Sequence, residues 1–419
     1  MLEAPEKLRR RALVALLAVA LAGAGPSAAQ ILGGRLPALP GGLPPSPRSP
    51  TSLGPAVGAA QDLTSSALSD VRRLTARQLL HEHRDLVEAD DHGQPVVRGE
   101  VIALGVTPET LQRLQQAGFA VRGRDDLPGL GLQAVTLGPP HGVTAVEAVR
   151  RVRAIDPAGQ YDFDHLYQPA GSAATNAAAA GAGDTGGNLR VGMVDGSVAP
   201  SRPGLAGVRL DQRAFAPGGA KVTAHATAVA SLIARAALGV EIEVADVYGP
   251  TPTGGSALAL ARALDWLAQS GAPVINISLV GPPNAVLAAA VKAAIDRGLI
   301  LVAPVGNDGP AAPPLYPAAY PGVIAVTGID GRRRVLPEAG RAGHVDFAAP
   351  GEVSAAALGG GFVNVRGTSF AAPLVAGRLA LLAARVGPAQ AVQALGREAA
   401  DADPAVGRGV VAFNLRKAP

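Results

Sequence analysis

Apolar residues change their spacing several times along this chain, and the changes divide it. The first run, Ala12 to Ala22, is continuous and follows basic Lys7, Arg9, Arg10 and Arg11. With small Ser27 and Ala29 behind it, it reads as a removable export signal over 1–29. A retained membrane anchor fits less well, because ten or so apolar residues reach only half-way across a ~30 Å hydrocarbon core. Pro, Gly and Ser then dominate 30–61, which predicts an extended linker with too little apolar surface to fold.

Order is expected from 62 to 170. Leu74, Leu79, Leu80 and Val87 suggest an amphipathic helix, and Val96 to Leu104 reads as a strand. Thr107 is placed to cap a helix with Pro108 at its first position and Gly118 past its end. Strands around Phe119 and over Leu132 to Leu137 precede a second helix. There Thr144 and Glu147 form a capping box, and Val146, Val149, Val152 and Ile155 supply the apolar stripe. The sum is a small α+β unit.

A second linker, nearly all Ala, Gly, Ser, Thr and Asn, is expected over 171–187. From 188 to 419 the pattern alternates. Strands are expected over Leu189–Val194, Ile242–Tyr248, Val274–Leu279, Ile300–Val305 and Val323–Thr327, with helices starting near His225, Ser256 and Asn284. Such alternation predicts an α/β fold: a parallel sheet with helices on both faces, whose ligands bind at the carboxyl ends of the strands.

Composition narrows the chemistry. The 419 residues contain no cysteine, which excludes disulfides, thiol catalysis and thiolate metal sites. A formal charge of +4 with 3% aromatic residues gives little support for a nucleic-acid partner, and no later segment reads as a membrane span. Gly181, Gly183 and Gly186 spell a dinucleotide fingerprint but follow an alanine run rather than a strand. His81 and His83 lack the four-residue spacing of a zinc helix, since the fourth position is Asp85. Asn276 and Ser278 match a glycosylation sequon inside an apolar strand that should be buried.

Four residues carry the remaining chemistry. Asp195 ends an apolar strand in VGMVDGSV, His225 opens the helix HATAVASLIA, Asn307 ends a strand in LVAPVGNDGP, and Ser369 stands in GTSFAAPLVAG before a long apolar helix. Singly, an acid at a strand end, a histidine at a helix start and a serine at an N-cap are ordinary. Together, in this order, they resemble the subtilisin-like serine peptidases. GTSFAAP is similar to that family's nucleophile motif, VINISL to its substrate strand, and VDFAAPG precedes the serine as in relatives. The resemblance covers 188–419.

It implies a triad of Ser369 as nucleophile, His225 as general base and Asp195 as its orienting acid, with the Asn307 side chain and the Ser369 amide as oxyanion donors. It further implies a substrate site over Ser278, Leu279, Val280 and Gly281 and over Pro304, Val305 and Gly306. Val280, Pro304 and Val305 replace smaller residues of relatives, so the pocket for the side chain before the cut bond is expected to be narrow and to favour Ala, Val or Leu. By the same resemblance the 62–170 unit is an inhibitory prodomain that assists folding and is cut off between Gln168 and Asn188. The expected partners are polypeptide substrates and this prodomain, and the expected location is secreted or periplasmic. No cofactor is predicted; many relatives bind calcium, but no acidic cluster in this sequence marks a site. Gly196 before Ser197, and Ala226 and Ala228 in place of a glycine and a second histidine, depart from the family pattern. The alternative is a catalytically silent relative that binds peptides in the same cleft.

Overall fold

A computed structural model describes residues 72, 74–177 and 189–413, with the backbone alone over 172–177. The expected signal, the first linker and the 178–187 part of the second linker lie outside the described residues.

Strand period decides the larger architecture. In β8 (Arg190–Asp195), Val191 and Met193 point to one face of a sheet and Val194 to the other, so both faces are apolar and both need cover. The sheet has seven strands in the order β15 (Phe347–Pro350), β14 (Ile324–Ile329), β13 (Ile300–Pro304), β11 (Val274–Ile277), β8, β10 (Glu241–Asp246) and β9 (Arg209–Ala214). All its pairings are parallel. On one face lie α3 (Ala224–Ala236), α6 (Thr368–Val386) and α7 (Pro388–Glu398), packed on Val191, Met193, Val244 and Val302. On the other lie α4 (Ala257–Ser270) and α5 (Ala285–Asp296), packed on Val194, Ala245, Ile275 and Leu301. The α/β expectation therefore holds, with helices on both faces. Among the described residues, α6 is the helix long and apolar enough to cross a membrane, but it is mostly buried in this core.

The expected strands at 242, 274, 300 and 323 form within two residues of their predicted ends. Two further strands, β9 and β15, had no strand prediction. β9 sits on the sheet edge, where RLDQRA needs no apolar alternation to be paired.

Residues 87–165 build a second, antiparallel sheet in which β2 (Pro95–Leu104) pairs with β1 (Val87–Ala89), β4 (Leu132–Gly138) and β5 (Gln160–His165), and β4 also pairs with β3 (Ala120–Leu127). α1 (Pro108–Gln116) begins as expected, with the Thr107 hydroxyl accepting from the Thr110 amide. α2 (Ala145–Ile155) is capped by Thr144, yet Glu147 ion-pairs with Arg150 and Arg151 instead of reaching back, so only half of the capping box forms. The helical stretch around Leu79 ends at 82, and Val87 is in β1 rather than on that helix.

This sheet packs on α4 and α5 through Ile102, Leu104, Leu127 and Leu130. β5 adds two buried carboxyl groups to that contact. The Asp162 carboxylate accepts from the Ala285 amide at 2.6 Å and the Asp164 carboxylate from the Leu258 amide at 2.9 Å. Each helix thus has two N-terminal acceptors, its own Asn284 or Ser256 and one carboxylate borrowed from β5. Arg262 of α4 closes a two-point ion pair with Asp125 of β3, at 2.6 and 2.8 Å.

Candidate active site

Three elements converge at the carboxyl edge of the parallel sheet. β8 delivers Asp195 as its last residue, α3 presents His225 in its first turn, and α6 presents Ser369 as its second residue. Thr223 fixes the start of α3 by accepting from the Ala226 amide at 3.0 Å. Gly367 fixes the start of α6, at a φ of 140° that a side chain would strain.

The side chains form a relay. Asp195 Oδ2 lies 2.7 Å from His225 Nδ1, and His225 Nε2 lies 3.0 Å from Ser369 Oγ. The other carboxylate oxygen of Asp195 accepts from the Gly196 amide at 2.7 Å, so the acid is fully buried but satisfied. The Phe370 ring packs 5.3 Å from the imidazole, centroid to centroid. Burial, then the nearby charges of Asp195 and Asp246, push the Tyr248 phenol well above its ordinary pKa, so this neighbour stays neutral. An imidazole with its Nδ1 side on a carboxylate keeps the Nε2 lone pair for the serine proton.

The departures from the family pattern are accommodated by local packing. A Cβ on Gly196 would come within 2.7 Å of Thr223, so glycine suits the close approach of β8 to the α3 cap. Ser197 is buried and donates to Asp246 at 2.7 Å. Ala226 and Ala228 are buried in the core against the sheet.

Asn307 stands opposite the serine. Its Oδ1 accepts from the Thr368 amide at 3.0 Å, which orients the side chain, and its Nδ2 donates to the carbonyl oxygen of Ala170. The chain's own residues 167–171 therefore run through the site. β6 (Gln168–Pro169) pairs antiparallel with β12 (Leu279–Val280), and the Ala170 amide donates to the Ser278 carbonyl at 3.3 Å. On the other flank the Tyr167 amide donates to the Gly255 carbonyl at 2.8 Å. A Cβ built on Gly171 would overlap Ser369 Oγ, so Gly171 lies against the hydroxyl.

Of the expected substrate residues, Ser278, Leu279 and Val280 line this strand, and Gly281 lies beneath the Tyr167 ring, where a Cβ would overlap ring atoms. Val280 packs with Ala170 and with Leu315, a residue the sequence did not single out. Gly306 faces the same space, since a Cβ there would reach Leu315 and stand 3.6 Å from Val280. Pro304 ends β13, and Val305 is packed into the core beneath α4 and α5. Tyr167 was also missed; it is buried, and its hydroxyl donates to the Pro282 carbonyl at 2.8 Å. Among the described residues, no three His, Asp or Glu side chains are grouped to hold a metal ion.

Comparison with known proteins agrees with this geometry. The Subtilase family matches residues 188–409. Subtilisin Savinase of Lederbergia lenta is 33% identical over 214 residues, which is 48% of this chain and 78% of that protein. The Minor extracellular protease Epr of Bacillus subtilis is 29% identical over 223 residues, and the match spans only 33% of its length. In fold, the chain is similar to fervidolysin from Fervidobacterium pennivorans, a keratinolytic enzyme related to subtilisin. The TM-score is 0.64 at 20% identity, covering 78% of this chain and 61% of that one, more of this chain than 188–409 alone supplies. With the matched segment exceeding half of the chain and an Asp–His–Ser relay assembled inside it, this chain belongs to the subtilase family and is a serine endopeptidase.

Proposed function

We propose that the chain is the precursor of a secreted serine endopeptidase that first cuts its own Ala170–Gly171 bond. The observation that carries this reading is the Ala170 carbonyl held by the Asn307 amide with the Ser369 hydroxyl against Gly171. Residues 62–170 act as prodomain, 188–419 as the peptidase, and 1–29 as the export signal. Export is supported by the charge and length pattern of 1–29 and by one relative's description as extracellular.

The chemistry follows from the distances. Ser369 Oγ attacks the Ala170 carbonyl carbon while His225 Nε2 takes the hydroxyl proton. Asp195 keeps the proton on Nδ1 and stabilises the imidazolium. Negative charge grows on the Ala170 oxygen, where the Asn307 amide already points and where the Ser369 backbone N–H, at the start of α6, adds a second donor. The imidazolium returns its proton to the Gly171 nitrogen as the peptide bond breaks. The acyl group on Ser369 is then released by water, which His225 deprotonates in turn.

The same site suggests the substrates. The space around Ala170, closed by Val280 and Leu315, suits a small apolar residue before the cut. A lysine or arginine there would be buried among apolar groups with no carboxylate to pair with. Three residues earlier, the Tyr167 cleft over Gly281 suits an aromatic ring. A silent, binding-only descendant would have no need for the relay and the Asn307 donor together.

Labelling with a fluorophosphonate tests the assignment. The processed protein should be modified on Ser369, and Ser369→Ala should be neither labelled nor active. Full peptidase activity in that variant would refute it.

A further inference from the structure

The two proposed oxyanion donors come from separate parts of the chain. Asn307 stands on the loop after β13. The Ser369 amide opens α6 just after β17 (Phe362–Arg366), the middle strand of a small antiparallel sheet between β16 (Glu352–Ala356) and β7 (Ser172–Ala177). β13 and β17 belong to different sheets, so the spacing of the donors is set by whatever bridges them.

The segment 336–340 is such a bridge. It is anchored to the parallel sheet, where the Leu336 amide donates to the Gly328 carbonyl of β14 at 2.8 Å. On the Asn307 side it holds backbone. The Gly340 amide donates to the Gly306 carbonyl at 2.9 Å and the Gly309 amide to the Glu338 carbonyl at 2.8 Å, so Asn307 lies between two fixed points. The approach is close, since a Cβ on Gly340 would stand 2.6 Å from the Val305 carbonyl oxygen. On the serine side it holds a side chain. The buried Glu338 carboxylate accepts from Arg366 Nε at 2.6 Å and Nη2 at 2.8 Å, and Arg366 also pairs with Glu352, its register partner on β16.

Glu338 therefore grips the oxyanion loop with its carbonyl and the nucleophile turn with its carboxylate. The Arg366 side chain is 41% exposed, and an ion pair so open to water adds little to overall stability. Its value is geometric, because a planar fork on a carboxylate fixes angle as well as distance. What it protects is the bond from the Thr368 amide to Asn307 Oδ1, which aims Nδ2 at the Ala170 carbonyl. A slip of the loop against the turn would swing that donor away.

We propose that Glu338 is a positioning residue for catalysis: paired with Arg366, it keeps the oxyanion loop in register with the nucleophile turn, so that both donors converge on one carbonyl oxygen. The inference rests on the proposed role of Asn307 as oxyanion donor. All the residues of the clamp lie within the family-matched segment 188–409.

A double-mutant cycle decides it. kcat and KM are measured for the processed enzyme on a peptide of the 166–171 sequence, with active sites counted by fluorophosphonate titration. Glu338→Ala should lower kcat roughly tenfold with KM little changed, less than the about 10²-fold that a full 1 Å misplacement can cost. Glu338→Gln keeps the shape without the charged fork and should lose less; it carries the same comparison if the alanine variant does not fold. In an Asn307→Ala background most of the Glu338 effect should vanish, because a positioner has nothing left to act on. A merely structural role would cost the same in both backgrounds. Equal costs, a loss carried by KM, or unchanged turnover in Glu338→Ala would overturn the clamp alone. Full kcat in Asn307→Ala would remove the oxyanion reading, and this inference with it.

Discussion

The side-chain amide of Asn307 donates to the carbonyl oxygen of Ala170, the atom that would become an oxyanion in the proposed self-cleavage. A donor aimed at developing charge acts mainly in the transition state. Asn307→Ala should therefore lower kcat with little change in KM. The expected scale is the roughly 10²- to 10³-fold loss seen when a subtilisin loses its oxyanion asparagine. Steady-state kinetics on a peptide of the 166–171 sequence would measure it, and a loss confined to KM would contradict the role.

Self-cleavage makes a prediction about mass. Wild-type protein should yield a fragment beginning at Gly171, while Ser369→Ala and His225→Ala should accumulate uncut at this bond in a host without other peptidases. N-terminal sequencing reads the result directly. Normal processing of the serine variant would assign the cut to another enzyme.

The pocket around Ala170 is small, and its walls are Val280 and Leu315. Ala170→Val should be processed within a few-fold of the normal rate. Ala170→Phe should slow processing by tenfold or more, in line with the about 1 to 3 kcal/mol that a one- or two-methylene misfit costs. Val280→Gly should recover part of the loss by opening one wall. Processing rates followed on gels would show it, and equal rates for Val and Phe would mean that the side chain lies outside this pocket.

Release of the 62–170 segment should depend on pH. Burial at the start of α4, with Glu100 adding repulsion, pushes the Asp164 carboxyl up to about 7, against the hydrogen bonds from Leu258 and Ser256 and the attraction of Arg262. The docked state therefore holds a proton that the released segment gives up. Its contribution to docking is present in full below pH 4 and lost as pH rises to about 7, by at most about tenfold in affinity per pH unit. Dissociation after cleavage should be faster at pH 7 than at pH 5, and Asp164→Asn should flatten this difference. An unchanged profile in that variant would point to another group.

How far the sequence could be read depended on the range of the forces involved. Asp195, His225, Asn307 and Ser369 each sit where an apolar run meets a turn, so short windows locate them, and the parallel sheet follows from the same runs. Leu315 lies in the segment AAPPLYP, with no period to assign it a face, and only the return of this loop over Gly306 brings it to Ala170. Asp162 and Asp164 alternate in QYDFDH as any surface strand might, and their true partners, the amides of Ala285 and Leu258, are more than ninety residues away. The strand Ser172–Ala177, paired antiparallel with Phe362–Arg366, was legible least of all. Small polar residues state no preference, and the partner edge supplied the conformation.

On the proposed cut at Ala170–Gly171, the strand 172–177 would stay covalently part of the peptidase chain. It is a product that cannot diffuse away. On the proposed cut, the new amino terminus would compete with incoming chains for the edge of the strand Phe362–Arg366 with which it pairs. Freshly processed protein should show a lag on long substrates that shortens once the tail has been trimmed, while short amides, which never need the edge, should be hydrolysed at their full rate from the start.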